Sequence, residues 1–155
     1  DHIINLYLKG QRLVVIIDEV HFLNADSLHI LRTLSNIEVP EQKLVTVLLF
    51  GESSFLKKLE NPTYRSVFSR MFARTDIRPL NRTEIEQYVK FRLLMAAGMP
   101  NLFEAATFDM LTDLTQGIPR EINRVCHVAL AAAARRGCSV IDGALLRELR
   151  EMGRI

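Results

Sequence analysis

The sequence predicts an α/β fold in which a parallel-sheet core, in the first half of the chain, is followed by an all-α second half. Two uninterrupted apolar runs, at 13–17 and 44–50, contain several β-branched residues. Such runs are typical of strands in a parallel sheet that helices cover on both faces. After residue 80, apolar residues recur mainly at helical spacing, so this half is predicted to consist of helices.

The segment between the two runs is predicted to be a crossover helix. Three leucines at 25–37 recur at helical spacing, and Asp26 or Ser27 is the candidate N-cap. A strand, a helix and a strand in this order predict parallel pairing through a right-handed crossover. Two short helices are predicted at 55–59 and 64–72, and the sequence RTDIRPL at 74–80 is a candidate for one more strand.

The break between the halves is predicted near Pro79, which divides the chain into domains at 1–79 and 80–155. Four helices are expected in the second domain. The first begins at a capping box formed by Thr83 and Glu86, and the second spans 107–116 and stops at Gly117. The third runs from Pro119 to Gly137, and Asp142 caps the last.

Composition narrows the class of protein. The 155 residues are 48% hydrophobic with a net charge of +2, which predicts a soluble globular protein and gives little support to nucleic-acid binding through charge alone. Cys126 and Cys138 form no metal-binding pattern, so both thiols are expected to be free in a reducing, cytoplasmic compartment. No apolar run approaches the roughly 20 residues of a membrane helix, so membrane association is expected only through a partner or further sequence.

Two adjacent acids, Asp18 and Glu19, follow the first apolar run directly. A parallel strand delivers the residues after it to its carboxyl end, where α/β sheets bind their ligands. Phosphoryl transfer uses such a pair, because one carboxylate holds Mg²⁺ and the other orients or deprotonates the attacking water. An ordinary acidic turn is the alternative. His21 is interpreted as a packed or surface residue, since it and His29 have no further residue at zinc-ligand spacing.

Three arginines could contact phosphate groups, because a guanidinium stays charged and offers a rigid fork of donors. Arg120 is expected in the first turn of a helix, directly after a Gly-x-Pro turn. Arg70 and Arg74 are expected four residues apart on one helix that leads into the last strand. Each arginine could equally be a solvated surface residue.

In this order, the motifs resemble those of an AAA+ ATPase. The matching stretches are the apolar run that ends in Asp-Glu, a second strand followed by Gly-Glu-Ser, RPLNRTEIEQYVKFRLLMAAG, and GIPREINRVCHVAL. Among these ATPases the chain resembles the general secretion pathway protein A family, which includes ATPases of type II secretion and pilus biogenesis in bacteria. The resemblance implies a partial P-loop NTPase core at 1–79 and a helical lid at 80–155.

The resemblance also implies residue roles. Asp18 and Glu19 would be the Walker B pair, with Asp18 as the Mg²⁺ ligand. Arg70 would be the arginine finger that reaches a neighbouring subunit's nucleotide, with Arg74 as a competitor. Arg120 would be the sensor 2 residue. Glu52 stands where the family commonly has the Gln of Gly-Gln-Pro, and its negative charge beside phosphates makes it a poorer sensor 1 residue.

One departure from the family pattern concerns the phosphate-binding loop. No glycine in the chain is followed by lysine, and only 12 residues precede Leu13, whereas the family carries a Gly-Lys-Thr or Gly-Lys-Ser loop before the Walker B strand. The chain is therefore interpreted as part of a longer parent that binds ATP and Mg²⁺ and forms homo-oligomers. The chain alone is expected to have negligible ATPase activity.

Two other functions stay open. A chain that natively lacks the phosphate-binding loop would be a non-catalytic interaction module. A DNA-associated regulator of the transposition type is the other alternative, because Arg120, Arg124, Arg135 and Arg136 lie along one predicted helix. These four arginines project around the helix, which favours a solvated face over a nucleic-acid surface. The parent's partners would otherwise be secretion or pilus assembly proteins.

Overall fold

The computed structural model describes residues 2–155, with Ser66 described by its backbone alone. The chain divides into two compact units, with the boundary between Thr75 and Asp76. This division falls four residues before the predicted boundary at 79 and 80. None of the helices in the described residues combines the length and the low polarity needed to cross a membrane.

The first unit is built on a two-stranded parallel sheet. Strand β1 (Leu13–Ile17) pairs with β4 (Val45–Leu49), and the register runs from Leu13 opposite Val45 to Ile17 opposite Leu49. Helix α2 (Ala25–Ser35) forms the crossover between them. Asn24 caps this helix by accepting the Ser27 N–H at 2.9 Å, so the predicted caps Asp26 and Ser27 were wrong by two or three positions. The predicted parallel pair is confirmed.

Only one face of this sheet is covered by the described residues. Ile17 and Leu49 pack on a core whose buried members are Val20, Leu28, Phe55 and Leu59. On the other face, Val14 is 50% and Ile16 is 62% exposed. The expectation of strands covered on both faces therefore fails for the described residues.

Smaller elements complete the first unit. Helix α1 (His2–Leu8) precedes the sheet, and β2 (Glu38–Val39) pairs with β3 (Gln42–Lys43) in a hairpin before β4. Helices α3 (Ser54–Leu59) and α4 (Arg65–Phe68) follow β4. Helix α1 and the hairpin were not predicted, since neither has an apolar run or a turn signal strong enough to mark it.

The segment after α4 differs from its prediction. Helix α4 ends at Phe68, so Arg70 lies in a turn, and Arg74 lies in an irregular segment rather than on the same helix. The candidate strand at 74–80 is also absent from the described residues. Residues 72–79 are exposed and include Pro79, which has no N–H to donate to a neighbouring strand.

The second unit is a bundle of four helices. They are α5 (Arg82–Met95), α6 (Thr107–Thr115), α7 (Pro119–Arg136) and α8 (Gly143–Glu151). Their apolar faces share one core, whose fully buried side chains include Ile85, Phe108, Leu111, Ile122 and Leu146. This packing fits the predicted helical periodicity, and helix packing of this kind supplies most of a helix's stability.

Both cysteines lie in the second unit and both are free. Cys126 packs in the bundle core, and burial raises the pKa of its thiol to about 12. Cys138 is exposed, just after α7. The two thiols therefore differ sharply in how readily they can react.

Helix α5 begins two residues earlier than the predicted capping box. Asn81 accepts the Glu84 N–H at 3.0 Å, and the Glu84 side chain accepts the Asn81 N–H at 2.9 Å. Glu86 instead contacts Arg82 and Lys90. The prediction of Thr83 and Glu86 was wrong because Asn81-x-x-Glu84 offers the same pattern one half-turn earlier, and asparagine is an effective N-cap.

Candidate functional site

The carboxyl ends of β1 and β4 bring the predicted acids to one edge of the sheet. Because Ile17 and Leu49 are partners in parallel strands, the residues that follow each strand leave the sheet side by side. The Phe50 N–H donates to Ile17 O at 2.8 Å, and the Val20 N–H donates to Phe50 O at 2.9 Å. These bonds link the turn after β1 to the loop after β4.

Asp18 directly follows β1 at this edge of the sheet. Its Oδ1 accepts the Glu19 N–H at 2.8 Å, and no ion pair of Asp18 is found among the described residues. The side chain is exposed. Mg²⁺ in nucleotide sites is typically held by one or two carboxylates, several waters and substrate phosphates. An exposed carboxylate with one oxygen oriented by the backbone therefore fits this ion. The described residues contain no cluster of three or more acidic, histidine or cysteine ligands.

Glu19 has an unusual backbone. Its φ of 53° and ψ of 38° lie in the left-handed region, which costs a non-glycine residue about 1–2 kcal/mol. Its side chain is 61% exposed. Backbone strain of this kind concentrates at functional sites, where surrounding contacts hold it in place.

The loop after β4 lies against the turn after β1. A Cβ at Gly51 would come within 2.7 Å of Val20 Cγ1, so a larger residue at position 51 would force the buried Val20 side chain to shift. The next residue, Glu52, is exposed, and its Oε2 accepts from the Ser54 hydroxyl at 3.4 Å. Glu52 therefore follows the strand next to the one that leads to the acidic pair, and its sensor 1 role remains what the family resemblance implies.

His21 packs as a mostly buried residue, but its contacts with the acidic segments were not predicted from the sequence. Its Nε2 lies 3.3 Å from Glu19 Oε2, and its side chain is 11% exposed. Its Nδ1 lies 3.4 Å from the Glu52 backbone nitrogen, which donates to it. The imidazole thus contacts the Glu19 carboxylate after β1 and the Glu52 backbone after β4. Its position two residues after Glu19 was the available signal, but contact with Glu52 depends on the fold.

Arg70 and Arg74 both belong to the first unit. The Arg70 guanidinium donates through Nη1 to Asn36 Oδ1 at 2.5 Å, and Asn36 is the C-cap residue of α2. Arg70 therefore lies over the end of α2. Both arginines are exposed.

Arg120 belongs to the second unit. It follows Pro119 in the first turn of α7 and is exposed, as the sequence predicted. Two of the other arginines of this helix make ion pairs within the chain: Arg124 with Glu121 at 2.8 Å and Arg136 with Glu148 at 2.6 Å. These pairs neutralise part of the positive charge along α7, which reduces the support for a nucleic-acid surface there.

Two surface depressions of the first unit lie away from the acidic pair. One is lined by His29, Ile30, Thr33, Leu34 and Ile37, all on or just after α2. Its walls are mainly apolar, with no carboxylate among them. Asp18 and Glu19 themselves are exposed, so the acidic pair lies on an open edge of the sheet.

Comparison with known proteins gives matches of sequence and of structure. The family model described as an AAA domain matches residues 1–59. General secretion pathway protein A of Aeromonas hydrophila is 37% identical over 137 residues, covering 88% of this chain and 25% of that protein. The chain thus spans a quarter of the length of this curated relative.

The solved structures support the fold at low sequence identity. A mutant of Thermotoga maritima RuvB matches with a TM-score of 0.68 and 17% identity, covering 97% of this chain and 48% of that one. Aeropyrum pernix ORC2, solved as ADPNP–ADP complexes, matches with a TM-score of 0.69 and 16% identity, covering 97% and 42%. By its sequence similarity to general secretion pathway protein A and by its P-loop NTPase fold, the chain belongs to the AAA+ family.

Proposed function

We propose that this chain carries the Walker B acids, the sensor 1 position and the lid of an ATP-hydrolysing AAA+ subunit. The observation that carries the proposal is the pairing of Asp18 and Glu19 on the open sheet edge, with Glu19 held in a left-handed turn. A carboxylate pair in this arrangement suits hydrolysis of a magnesium nucleotide. Adenine nucleotides in the solved relative from Aeropyrum pernix support the same ligand class.

Each acid has a separate role in this proposal. Asp18 would hold Mg²⁺, which neutralises charge on the phosphate oxygens when bound. Glu19 orients the attacking water and accepts its proton, while the water oxygen bonds to the γ-phosphorus and the bond to the diphosphate oxygen breaks. Glu52 would face the same water through its position on the neighbouring strand end. The carboxylate charge of Glu52 makes this the least supported of the three assignments.

The arginines would complete the site in the assembled protein. Arg70 is the proposed finger toward the nucleotide of a neighbouring subunit, with Arg74 as the competing residue. For this role the Arg70 guanidinium must leave Asn36, to which it donates within its own chain. Arg120 is the proposed sensor 2 residue, since an exposed guanidinium at a helix start can bind phosphate oxygens.

The whole protein is proposed to form a homo-oligomer that drives assembly of secretion or pilus machinery. The support is the 37% identity to general secretion pathway protein A. Its cellular site would be the cytoplasm or the membrane surface, through partners or other segments.

ATP hydrolysis by the whole protein tests the site assignment. We expect Glu19→Gln to lower turnover by about 100-fold or more, because it removes the proton acceptor, while ATP binding persists. Asp18→Asn should weaken the Mg²⁺ dependence of nucleotide binding. Glu41→Gln, an exposed carboxylate between β2 and β3, is the matched control and should leave turnover unchanged.

Two outcomes would contradict the proposal. Turnover at the wild-type rate in Glu19→Gln would remove Glu19 from the chemistry. Failure of the whole wild-type protein to bind ATP with Mg²⁺ would favour the non-catalytic interaction module.

For the finger, mixing Arg70→Ala with Glu19→Gln subunits should restore some turnover if the arginine acts across the interface, and Arg74→Ala in its place tests the competitor.

A further inference from the structure

The turn after β1, which carries His21, is held from several directions. Residues Val20–Phe22 form one turn of 3₁₀ helix, and Val20 is buried at 1% exposure. Lys58 of α3 donates to His21 O at 3.2 Å and to Leu23 O at 2.5 Å. The ammonium group thus satisfies two carbonyls at the end of this turn. The backbone that presents the His21 ring is therefore fixed by the hydrophobic core and by α3.

The ring of His21 has a defined proton arrangement. Nδ1 receives the Glu52 N–H, so it must be the nitrogen without a proton in the neutral ring. The proton then lies on Nε2, which faces the Glu19 carboxylate at 3.3 Å. A partner on one ring nitrogen determines what the other nitrogen offers, as in other sites where histidine orients a neighbouring group.

We propose that His21 is a positioning residue that holds the Glu19 carboxylate and connects it to the loop after β4 through the Glu52 N–H. The Glu19 side chain is largely exposed and long, so without a partner it would sample several rotamers. Contact with a nearly buried ring restricts it to one direction. This inference rests on the proposed role of Glu19 as the group that orients water.

The contact also couples the position of the loop after β4 to that of the Glu19 carboxylate. Glu52 and Glu19 follow different strands, and the imidazole bridges them with one nitrogen toward each. A shift of the Glu52 backbone would change the position of the ring and, with it, the position of Glu19. A ring that served packing alone would not need this arrangement of donor and acceptor.

The state of the ring can be measured directly in this chain by NMR of histidine ¹⁵N nuclei, in alkaline buffer where imidazole is neutral. We expect a slowly exchanging Nε2–H signal for His21, and we expect that signal to shift in Glu19→Gln. His29, which is exposed on α2, is the internal control and should not shift. A proton on Nδ1 of His21, or no response to Glu19→Gln, would overturn the proposal.

Kinetics of the whole protein separate positioning from packing. His21→Gln places an amide donor near the Nε2 position, whereas His21→Asn can replace only the Nδ1 acceptor. We expect kcat to fall about 10- to 100-fold in His21→Asn and His21→Ala, with KM for ATP unchanged, because misplacement of about 1 Å costs this much. His21→Gln should recover most of kcat, and His29→Ala should match the wild type.

The possible failures are distinguishable. If Glu19→Gln is inactive but all three His21 variants match the wild type, the positioning role is wrong and the proposed function stands. Equal losses in all three variants would attribute the effect to the fold of the turn and would also contradict the proposal. If Glu19→Gln keeps full turnover, the proposed function itself fails, whatever the His21 variants do.

Discussion

The backbone of Leu80 lies directly against Gly117. The Leu80 N–H donates to Gly117 O at 2.9 Å, and a Cβ at position 117 would come within 2.1 Å of Leu80 O. Gly117 also has a φ of 72°, which disfavours any residue with a side chain. The start of α5 and the turn between α6 and α7 therefore meet through a contact that only glycine permits.

Gly117→Ala should destabilise the second unit by about 3 kcal/mol or more, because backbone strain and a clash with backbone atoms add together. Gly137→Ala is the matched control. Gly137 has a similar φ of 67°, but no atom lies within 4 Å of its Cβ position, so we expect a loss of about 1 kcal/mol. Urea denaturation followed by circular dichroism measures both, and equal losses would contradict the importance of the Leu80 contact.

Asn81→Ala should cost about 1 kcal/mol of stability, because it removes the side-chain acceptor for the Glu84 N–H. Thr83→Ala, an exposed position two residues later, should change stability by less than about 0.5 kcal/mol. Thermal denaturation of the two variants compares the observed capping box with the one first predicted. A larger effect at Thr83 would show that the helix begins later than described.

The ion pair between Glu84 and Arg78 predicts that the stability of the second unit depends on pH in the acidic range. Two hydrogen bonds from Arg78, at 2.6 and 2.7 Å, and a further one from the Asn81 N–H lower the pKa of Glu84 to about 2. A folded-state pKa below the ordinary value of 4.5 means that this stabilisation is present above about pH 4.5 and is lost as pH falls toward 2.

Glu84→Gln therefore should be less stable than the wild type at neutral pH, and the difference should shrink between pH 4.5 and 2. Glutamine keeps an acceptor for the Asn81 N–H, so the variant isolates the charge. Urea midpoints measured across this range test the prediction. A difference that stays constant down to pH 2 would show that the carboxylate charge contributes nothing.

Glu19→Gly should stabilise the first unit by about 0.5–1 kcal/mol, since glycine adopts the left-handed conformation without strain but gains freedom when unfolded. Glu19→Ala keeps the strain and should give no such gain. Hydrogen exchange at the Val20 amide, which donates to Phe50 O, reports the local free energy of opening. The same Glu19→Gly change should abolish ATP turnover in the whole protein. If Glu19→Ala stabilised the first unit as much as Glu19→Gly does, that result would argue against strain at position 19.

Much of the candidate site could be predicted from the sequence, because it depends on local order along the chain. An apolar run followed by Asp18 and Glu19 indicates a strand that ends in two acids, and the second run places Glu52 at a comparable strand end. Parallel pairing then brings both ends to one edge. The position of Arg120 in the first turn of α7 likewise follows from Pro119.

The errors came from contacts between distant segments or from competing local signals. Arg70 and Arg74 share no helix because α4 ends at Phe68, and spacing alone cannot show where a short helix stops. Helix α5 is capped by Asn81 and not by Thr83. The sequence contains two overlapping capping patterns, and spacing alone does not show which one forms the cap.

The sequence by itself determined the strand–helix–strand order of β1, α2 and β4, the acids that follow the first strand, and the helical second unit, because these depend on periodicity along the chain. Only the tertiary structure decided that His21 lies between Glu19 and the Glu52 N–H, that Gly51 packs on Val20, and that Glu19 has a left-handed backbone. Each of these depends on how the turn after β1 and the loop after β4 approach each other, and residues about 30 positions apart in the chain carry no local signal of that contact.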